Sequence, residues 1–269
     1  MFRVLLIVRV AYLGPEHSFT HIAARRLFPG AELVPCNRIS EVFRVVEGYG
    51  ADYGVVPVEN SIEGPVGETL DNLLSTMLHI YAGLESRIVL VLAGSRDADT
   101  VYGHPHALRE ASEALQRLAP GAALAPVPST SYAARRASEE GGLCVCSREA
   151  AEAYGLEIVA EGVESGPNYT RFVALGWRDQ PESADRTSIV AAIPDEPGSL
   201  YRFLEPFAAN RVDLAMIYSR PWPWKPWHYN FYIDVRGSRL DEHVARALRG
   251  AEKRSLFLRV LGSYPVQRG

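Results

Sequence analysis

The chain has 269 residues, enough for two domains, and its net charge of −4 argues against a general affinity for nucleic acid or for anionic membranes. The apolar stretch at residues 4–8 is too short for a membrane span and lacks the pattern of a signal peptide, so we expect a cytoplasmic protein. The three cysteines show no zinc-type spacing. Cys144 and Cys146 are predicted to pack as small hydrophobic residues on a strand, and no metal site is expected.

The first elements alternate between strands and helices. Ser18 and Thr20 are capping candidates for the first helix, which follows a turn containing Gly14-Pro15. Such a strand-turn-helix unit is able to hold an anion at the helix N-terminus. The predicted elements are a strand at residues 3–12, a helix ending at residue 28, a strand near residues 32–35 and a helix capped by Ser40.

Three polar side chains, Glu59, Asn60 and Ser61, follow a buried strand predicted at residues 53–58. In open α/β sheets, ligands bind at the carboxyl ends of strands, and helix N-termini there attract anions. The pattern therefore indicates either a ligand site or a polar turn in which Asn60 and Ser61 hydrogen-bond to the nearby backbone.

The next elements predict a second α/β lobe. Strands at residues 80–86 and 88–93 follow each other closely, as expected for a connection leading out of the first lobe. Further on, Ser129-Thr130-Ser131 opens a helix, and a strand follows at residues 143–146. The alternation of strands and helices predicts a mostly parallel sheet in each lobe.

Thr170 and Arg171 stand at the start of a strand that continues to residue 175. An arginine beside a threonine is able to hold a carboxylate and to donate a hydrogen bond to it. The alternative is an ordinary edge-strand pair in which the arginine is solvated.

The last third of the chain has a different order of predicted strands and helices. A polar stretch at residues 179–187 reads as a linker, and residues 188–269 show the strand-helix-strand-strand-helix-strand order of ferredoxin-like domains. A tryptophan-rich loop at residues 222–227 lies between the two middle strands, and it indicates either an interface or local packing.

Residues 56–64 read Val-Pro-Val-Glu-Asn-Ser-Ile-Glu-Gly, and further motifs occupy residues 12–19, 104–108, 168–172 and 261–265. In this order they resemble the motifs of prephenate dehydratases with a C-terminal ACT regulatory domain. The resemblance implies a catalytic region at residues 1–178 and an ACT domain at residues 188–269. The catalytic region is then expected to form two lobes like those of type-2 periplasmic binding proteins, at about 1–90 plus 165–178 and at 91–164.

The resemblance also implies a reaction that removes carbon dioxide and the ring hydroxyl from prephenate to give phenylpyruvate, without any cofactor. By the family pattern Thr170 is the general acid. Arg171 either anchors a carboxylate or fixes the geometry of the cleft. The other residues implied at the substrate are Glu59, Asn60, Ser61, Glu110, Ser129 and Thr130.

Glu110 replaces a glutamine of the family pattern. A carboxylate there would repel the dianionic substrate unless it is protonated or paired with His106 or Arg109. It would also suit arogenate, which carries an ammonium group, so an arogenate dehydratase is one alternative. A sensor that binds aromatic acids without turnover is the other.

Phenylalanine is the expected effector, bound where two regulatory domains meet, so a homodimer or homotetramer is expected. The turn at Gly198, Ser199 and Leu200 matches the amino-acid-binding turn of the family, and free backbone N–H groups there suit a carboxylate. The remaining residues predicted for this allosteric site are Asp213, Tyr218, Ser219 and Arg220. Asp213 and Tyr218 depart from the family pattern.

Overall fold

The computed structural model describes residues 7–222 and 229–269. The start of the first predicted strand and the tryptophan-rich loop after Trp222 lie outside these ranges. Within them, the strands are β1 (Arg9–Leu13), β2 (Glu32–Cys36), β3 (Tyr53–Asn60), β4 (Gly64–Pro65), β5 (His79–Arg87), β6 (Val91–Gly94), β7 (Thr100–Gly103), β8 (Ala123–Pro126), β9 (Leu143–Cys146), β10 (Ile158–Glu161), β11 (Tyr169–Gly176), β12 (Arg186–Ala192), β13 (Leu214–Pro221), β14 (Tyr229–Arg236), β15 (Phe257–Tyr264) and β16 (Val266–Arg268). The helices are α1 (Phe19–Leu27), α2 (Ile39–Glu47), α3 (Gly67–Ser75), α4 (Pro105–Glu110), α5 (Ser112–Leu118), α6 (Thr130–Glu140), α7 (Arg148–Ala153), α8 (Ser199–Ala209) and α9 (Glu242–Glu252). None of these helices is long and apolar enough to cross a bilayer.

The first sheet mixes parallel and antiparallel strands in the order β16-β5-β11-β3-β1-β2, with the short β4 paired to β3. β1 runs parallel to both β2 and β3, whereas β11 is antiparallel to β3 and to β5. The prediction of a mostly parallel sheet is therefore wrong for this lobe. The reason is that β11 returns from the second lobe and enters the sheet between two strands that precede it in the chain.

The second sheet has the order β10-β6-β9-β7-β8 and is also mixed. β7 is parallel to β8 and β9, whereas β6 is antiparallel to β9 and β10. The chain enters this lobe between β5 and β6 and leaves it between β10 and β11. Its helix α6 begins where the hydroxyl of Ser129 accepts the N–H of Tyr132 at 3.0 Å, as expected for an N-cap.

The third sheet is antiparallel, in the order β13-β14-β12-β15. Helices α8 and α9 cover one face of it, and Phe203, Phe207 and Val244 pack into the core between helices and sheet. The element order from β12 to β15 is the strand-helix-strand-strand-helix-strand order predicted from the sequence.

The other face of the third sheet shares a hydrophobic core with the first lobe. Val190, Met216 and Tyr232 of this sheet pack in the same cluster as Leu70 and Leu73 of α3. The core is therefore continuous across the predicted linker.

The last strand, β16, lies in the first sheet and not in the third. The sequence assigned all of residues 188–269 to the C-terminal domain, whereas β16 pairs in parallel with β5 of the first sheet. The backbones of β15 and β5 also approach each other closely at Gly262. A Cβ at this position would lie 2.4 Å from the carbonyl oxygen of Ile80, so only glycine fits there. The partner of so short a strand depends on tertiary contacts, and no local pattern reveals it.

Candidate active site

Two neighbouring strands of the first sheet carry the central residues. β3 and β11 pair with Asn60 opposite Thr170 and with Glu59 opposite Arg171. Because successive side chains of a strand point to opposite faces, Asn60 and Thr170 share one face while Glu59 and Arg171 share the other. Residues adjacent in the sequence therefore contribute to two different environments.

On the first of these faces, four side chains form a continuous hydrogen-bonded group, the amide cluster (Asn60, Glu110, Asn168 and Thr170). The side-chain nitrogen of Asn60 donates to Oδ1 of Asn168 at 2.6 Å and to Oγ1 of Thr170 at 3.0 Å. The side-chain nitrogen of Asn168 donates to Oε2 of Glu110 at 2.7 Å. Glu110, Asn168 and Thr170 are buried. Since Glu110 lies on α4, the cluster links the second lobe to the first sheet.

Glu110 has no cation as its direct partner in the described residues. His106 Nδ1 lies 2.5 Å from Glu63, and Arg109 lies 2.8 Å from the same carboxylate. Burial raises the pKa of Glu110, and the hydrogen bond from Asn168 opposes that shift. Of the two conditions expected from the sequence, pairing with His106 or Arg109 is therefore not seen, and the environment favours the protonated state.

The face of Glu59 and Arg171 is covered by the third sheet. Arg171 lies 2.7 Å from Glu59 and 3.4 Å from Glu85, and Arg186 lies 3.0 Å from Glu85. Both arginines approach the buried Asp234, at 3.6 and 3.7 Å. We call these five residues the interdomain ion cluster. Two residues that the resemblance places at the substrate, Glu59 and Arg171, thus bridge the first lobe and the C-terminal sheet.

Tyr218 and Arg220 extend these contacts between the sheets. The hydroxyl of Tyr218 donates to Glu59 at 2.8 Å, and burial together with this hydrogen bond raises the pKa of Tyr218 to about 12. Arg220 donates two hydrogen bonds to Asp71 of α3, at 3.1 and 2.6 Å. Alternate residues of β13 share a face, so both side chains reach the first lobe while Ser219 is exposed on the other side.

A cavity of about 180 Å³ lies at the N-terminus of α8. Ser199 and Leu200 line it together with Tyr229 and Phe231 of β14. Gly198 caps the helix in the left-handed region, with φ at 80°, a conformation that glycine adopts without strain. The predicted amino-acid-binding turn is thus part of a small concave site.

The charged residues near this cavity are arranged differently from the prediction. Asp195 and Glu196 line it, whereas Asp213 forms an exposed ion pair with Arg236 at 2.7 Å. The predicted allosteric residues are therefore divided among the cavity, the contact with the first lobe and the exposed surface.

A larger cavity, of about 690 Å³, lies between the two lobes. Ser129 and Thr130 line it from the second lobe, and Ser18 lines it from the first. Thr170 and Ser61 instead line a cavity of about 350 Å³ beside the interdomain ion cluster. Among the described residues, no hydrogen bond connects Ser129 or Thr130 to the amide cluster.

The turn between β1 and α1 also bridges the lobes. The hydroxyl of Ser131 donates to the carbonyl of Glu16 at 2.5 Å, and that of Ser147 donates to the carbonyl of His17 at 3.1 Å. His17 in this turn has φ at 63°. Its N–H donates to Nδ1 of His21 at 3.1 Å. This contact accompanies a left-handed conformation that is uncommon outside glycine.

Asn168 is a member of the amide cluster that sequence reasoning did not identify. A usable signal was present, because residues two apart on an extended chain share a face and Asn168 precedes Thr170 by two. For Asp234 and Arg186 no local signal existed, since Arg171 and Glu85, which they approach, come from the first lobe.

The model of a family described as prephenate dehydratase matches residues 10–180 of this chain. A bifunctional chorismate mutase/prephenate dehydratase of Aquifex aeolicus (strain VF5) is 41% identical over 266 residues, covering 96% of this chain and 74% of the relative. An arogenate dehydratase/prephenate dehydratase of Arabidopsis thaliana is 35% identical over 280 residues, covering 96% of this chain and 73% of the relative.

Solved structures are similar over both lobes and the C-terminal sheet. A prephenate dehydratase from Arthrobacter aurescens in complex with L-Phe superposes with a TM-score of 0.86 at 31% identity, covering 96% of this chain and 90% of the other. A chain described as GqqA, a novel type of quorum quenching acylase, also gives a TM-score of 0.86, at 26% identity, covering 96% of this chain and 98% of the other.

Proposed function

Because this chain belongs to the prephenate dehydratase family, we propose that it converts prephenate to phenylpyruvate, with release of carbon dioxide and of the ring hydroxyl. The observation that carries this proposal is the position of Thr170, which is buried and hydrogen-bonded to Asn60 within the amide cluster. Aromatisation drives the reaction, so the enzyme has to bind a dianion and protonate the departing hydroxyl. Thr170 is the general acid in this proposal.

Hydroxyl groups on the two lobes supply donors for the carboxylates of the substrate. The oxygen of Ser61 accepts the N–H of Tyr169 at 2.9 Å, which leaves its own hydrogen to donate. Ser129 and Thr130 face the cavity between the lobes. Closure of the lobes would bring the two sets of donors around one substrate and exclude water. Glu59 and Arg171 then fix the strands that carry Asn60 and Thr170.

The direct test is turnover of prephenate and of arogenate by the purified full chain, with phenylpyruvate and phenylalanine as the respective products. We expect the higher kcat/KM with prephenate. The raised pKa of Glu110 favours a neutral carboxyl, which weakens both the repulsion of a dianion and the attraction of an ammonium group. A higher kcat/KM with arogenate would identify an arogenate dehydratase, and no product from either substrate would overturn the proposal.

The C-terminal sheet with α8 and α9 is an ACT regulatory domain in this proposal, and its effector is phenylalanine. The cavity beside Ser199 supports this assignment, because free N–H groups at the start of α8 suit a carboxylate while Asp195 and Glu196 suit an ammonium group. Leu200→Glu should abolish the calorimetric signal of phenylalanine binding. Leu240→Glu, an exposed leucine that does not line this cavity, is the matched control. No binding by the unmodified chain at millimolar phenylalanine would refute the assignment.

The proposal also includes an oligomeric state and a cellular location. We expect a homodimer or homotetramer joined through the regulatory domains, which sedimentation equilibrium would measure directly. A cytoplasmic location agrees with the three cysteines, which are buried and unpaired as disulfides in the structure.

A further inference from the structure

The hydrogen bonds around Thr170 have a defined direction. We propose that Asn168 and Glu110 are positioning residues, which act through Asn60 to keep the hydroxyl hydrogen of Thr170 free for donation. The inference deepens the proposed dehydratase function and rests on it, because it concerns the general acid of that reaction.

Two backbone contacts identify which end of the Asn60 amide faces the cluster. Its oxygen lies 2.9 Å from the N–H of Ile62 and 2.9 Å from the N–H of Glu63. A backbone N–H is only a donor, so the atom that faces both groups has to be the carbonyl oxygen. The amide nitrogen, with its two hydrogens, therefore faces the cluster.

This orientation determines what the hydroxyl of Thr170 does. Its oxygen accepts a hydrogen from Asn60, so its own hydrogen takes no part in that bond. In the described residues no protein acceptor takes that hydrogen. With the Asn60 amide reversed, a carbonyl oxygen would face Thr170 and would bind the hydrogen that the reaction needs.

Asn168 holds the amide nitrogen of Asn60 in place. The bond from Asn60 to Asn168 is 2.6 Å long, shorter than the 3.0 Å bond to Thr170. It occupies the second hydrogen of the amide, so that only one is directed at Thr170.

Glu110 orients Asn168 from its other end. The Asn168 nitrogen donates to Oε2 of Glu110 at 2.7 Å, which requires an acceptor at that position. If Asn168 turned over, two amide nitrogens would face each other at Asn60 and two oxygens would face each other at Glu110. The chain of bonds is thus fixed at one end by backbone N–H groups and at the other by a carboxyl oxygen.

The test disrupts the hydrogen bond between Asn168 and Glu110. Asn168→Asp keeps an acceptor for Asn60 but places a second carboxyl against Glu110, so the pair has to share a proton. We expect kcat to fall by roughly 10–100-fold at pH 8, because loss of the shared proton leaves two carboxylates that repel each other and displace the side chain at position 168 from its hydrogen bond with Asn60. The loss should shrink as the pH is lowered, while KM changes little.

A compensating change then restores the bond with opposite polarity. In the double variant Asn168→Asp/Glu110→Gln, the amide introduced at position 110 donates to the carboxylate introduced at position 168. We expect its kcat to return to within about threefold of that of Glu110→Gln alone, because one hydrogen bond is regained. The pH dependence seen in Asn168→Asp should disappear as well.

Other titratable groups surround Glu110 and are present in every variant. Glu63 and Glu164 raise its pKa, and His106 lowers it. Because these groups are unchanged in Asn168→Asp, a pH dependence of kcat that differs between this variant and the wild type reports the pair at positions 110 and 168.

The outcomes are distinct. Wild-type kcat and an unshifted pH profile in Asn168→Asp would overturn the inference, and so would a loss that the double variant does not relieve. If Asn168→Asp does not fold, Asn168→Ser removes the amide without adding charge, and wild-type kcat in that variant would also overturn it. An unmodified chain that forms no phenylpyruvate would instead overturn the proposed function itself.

Discussion

The two faces of the β3–β11 pair differ in how they use polar side chains. On one face, the amide cluster consists of two amides, a hydroxyl and a carboxyl group. Burial raises the pKa of this carboxyl group. On the other, the interdomain ion cluster joins two arginines to three acidic residues. The first face controls the direction of hydrogen bonds, and the second holds two sheets together through charge.

The difference follows from what each group is able to specify. A neutral amide has one donor end and one acceptor end, so a chain of amides sets a direction. Ion pairs set no such direction, but removing one partner leaves a buried charge without compensation. Changes on the first face should therefore affect activity, and changes on the second should affect stability.

The largest expected effect is on the first face. Thr170→Val removes the hydroxyl while keeping the shape of the side chain, and kcat should fall by roughly 10²–10⁴-fold because the proposed general acid is lost. Phenylpyruvate formation measures the loss, and circular dichroism checks the fold. Thr170→Ser, which keeps the hydroxyl, is the matched control. A Thr170→Val enzyme with near wild-type kcat would refute the assigned role.

The next effect is on the second face. The side chain of Arg186 is 2% exposed, so Arg186→Met should lower the free energy of unfolding by about 3–5 kcal/mol, since Glu85 and Asp234 lose a buried partner. Urea unfolding measures this change. Arg135→Met, which breaks an exposed ion pair with Glu139 within α6, should change it by less than about 0.5 kcal/mol. Equal losses in the two variants would contradict the distinction between the faces.

Tyr218→Phe should have a smaller effect on the same face. It removes the hydrogen bond to Glu59, which keeps its ion pair with Arg171, so we expect a loss of about 1 kcal/mol in the free energy of unfolding. Tyr201→Phe, at an exposed tyrosine, should leave this free energy unchanged. The prediction fails if both variants unfold at the same urea concentration as the wild type.

The smallest expected effect is a pH dependence at Glu110. Its pKa is raised in the folded state, so that state binds the proton more tightly than the unfolded chain does. The stability contributed by the proton is present at low pH and is lost as the pH rises from the unfolded pKa through the raised folded value.

The measurement for this prediction is urea unfolding at a series of pH values. The free energy of unfolding of Glu110→Gln, relative to the wild type, should increase with pH across that window, because glutamine does not titrate. Glu139→Gln, at an exposed glutamate, is the control and should show no such trend. A difference that stays constant with pH would rule out the raised pKa.

The proximity of Asn60 and Thr170 shows how much of the site could be predicted from the sequence. Asn60 follows one predicted strand and Thr170 begins another, and the family resemblance assigns both residues to one site. The strand period also separates Glu59 from Asn60, but it does not reveal what covers either face. That depends on the third sheet, whose position relative to the first lobe is set by a shared core.

Tyr218 is a second case in which the sequence does not reveal what covers a strand face. Its position relative to the family pattern indicated an effector site, yet its face of β13 is the one packed on the first lobe. Motif position identifies the family, whereas the contacts of a side chain depend on which face the rest of the protein covers.

The pairing of β16 with β5 bears on the order in which the protein can fold during synthesis. β5 leaves the ribosome long before Val266 exists to pair with Gly83, so the edge of the nascent first sheet stays open until β16 has been made. Open strand edges are templates for association with other chains, and contacts between distant parts of a sequence form slowly. We therefore expect synthesis interrupted before residue 266 to yield aggregation-prone chains, and holdase chaperones to bind this protein until its last strand emerges.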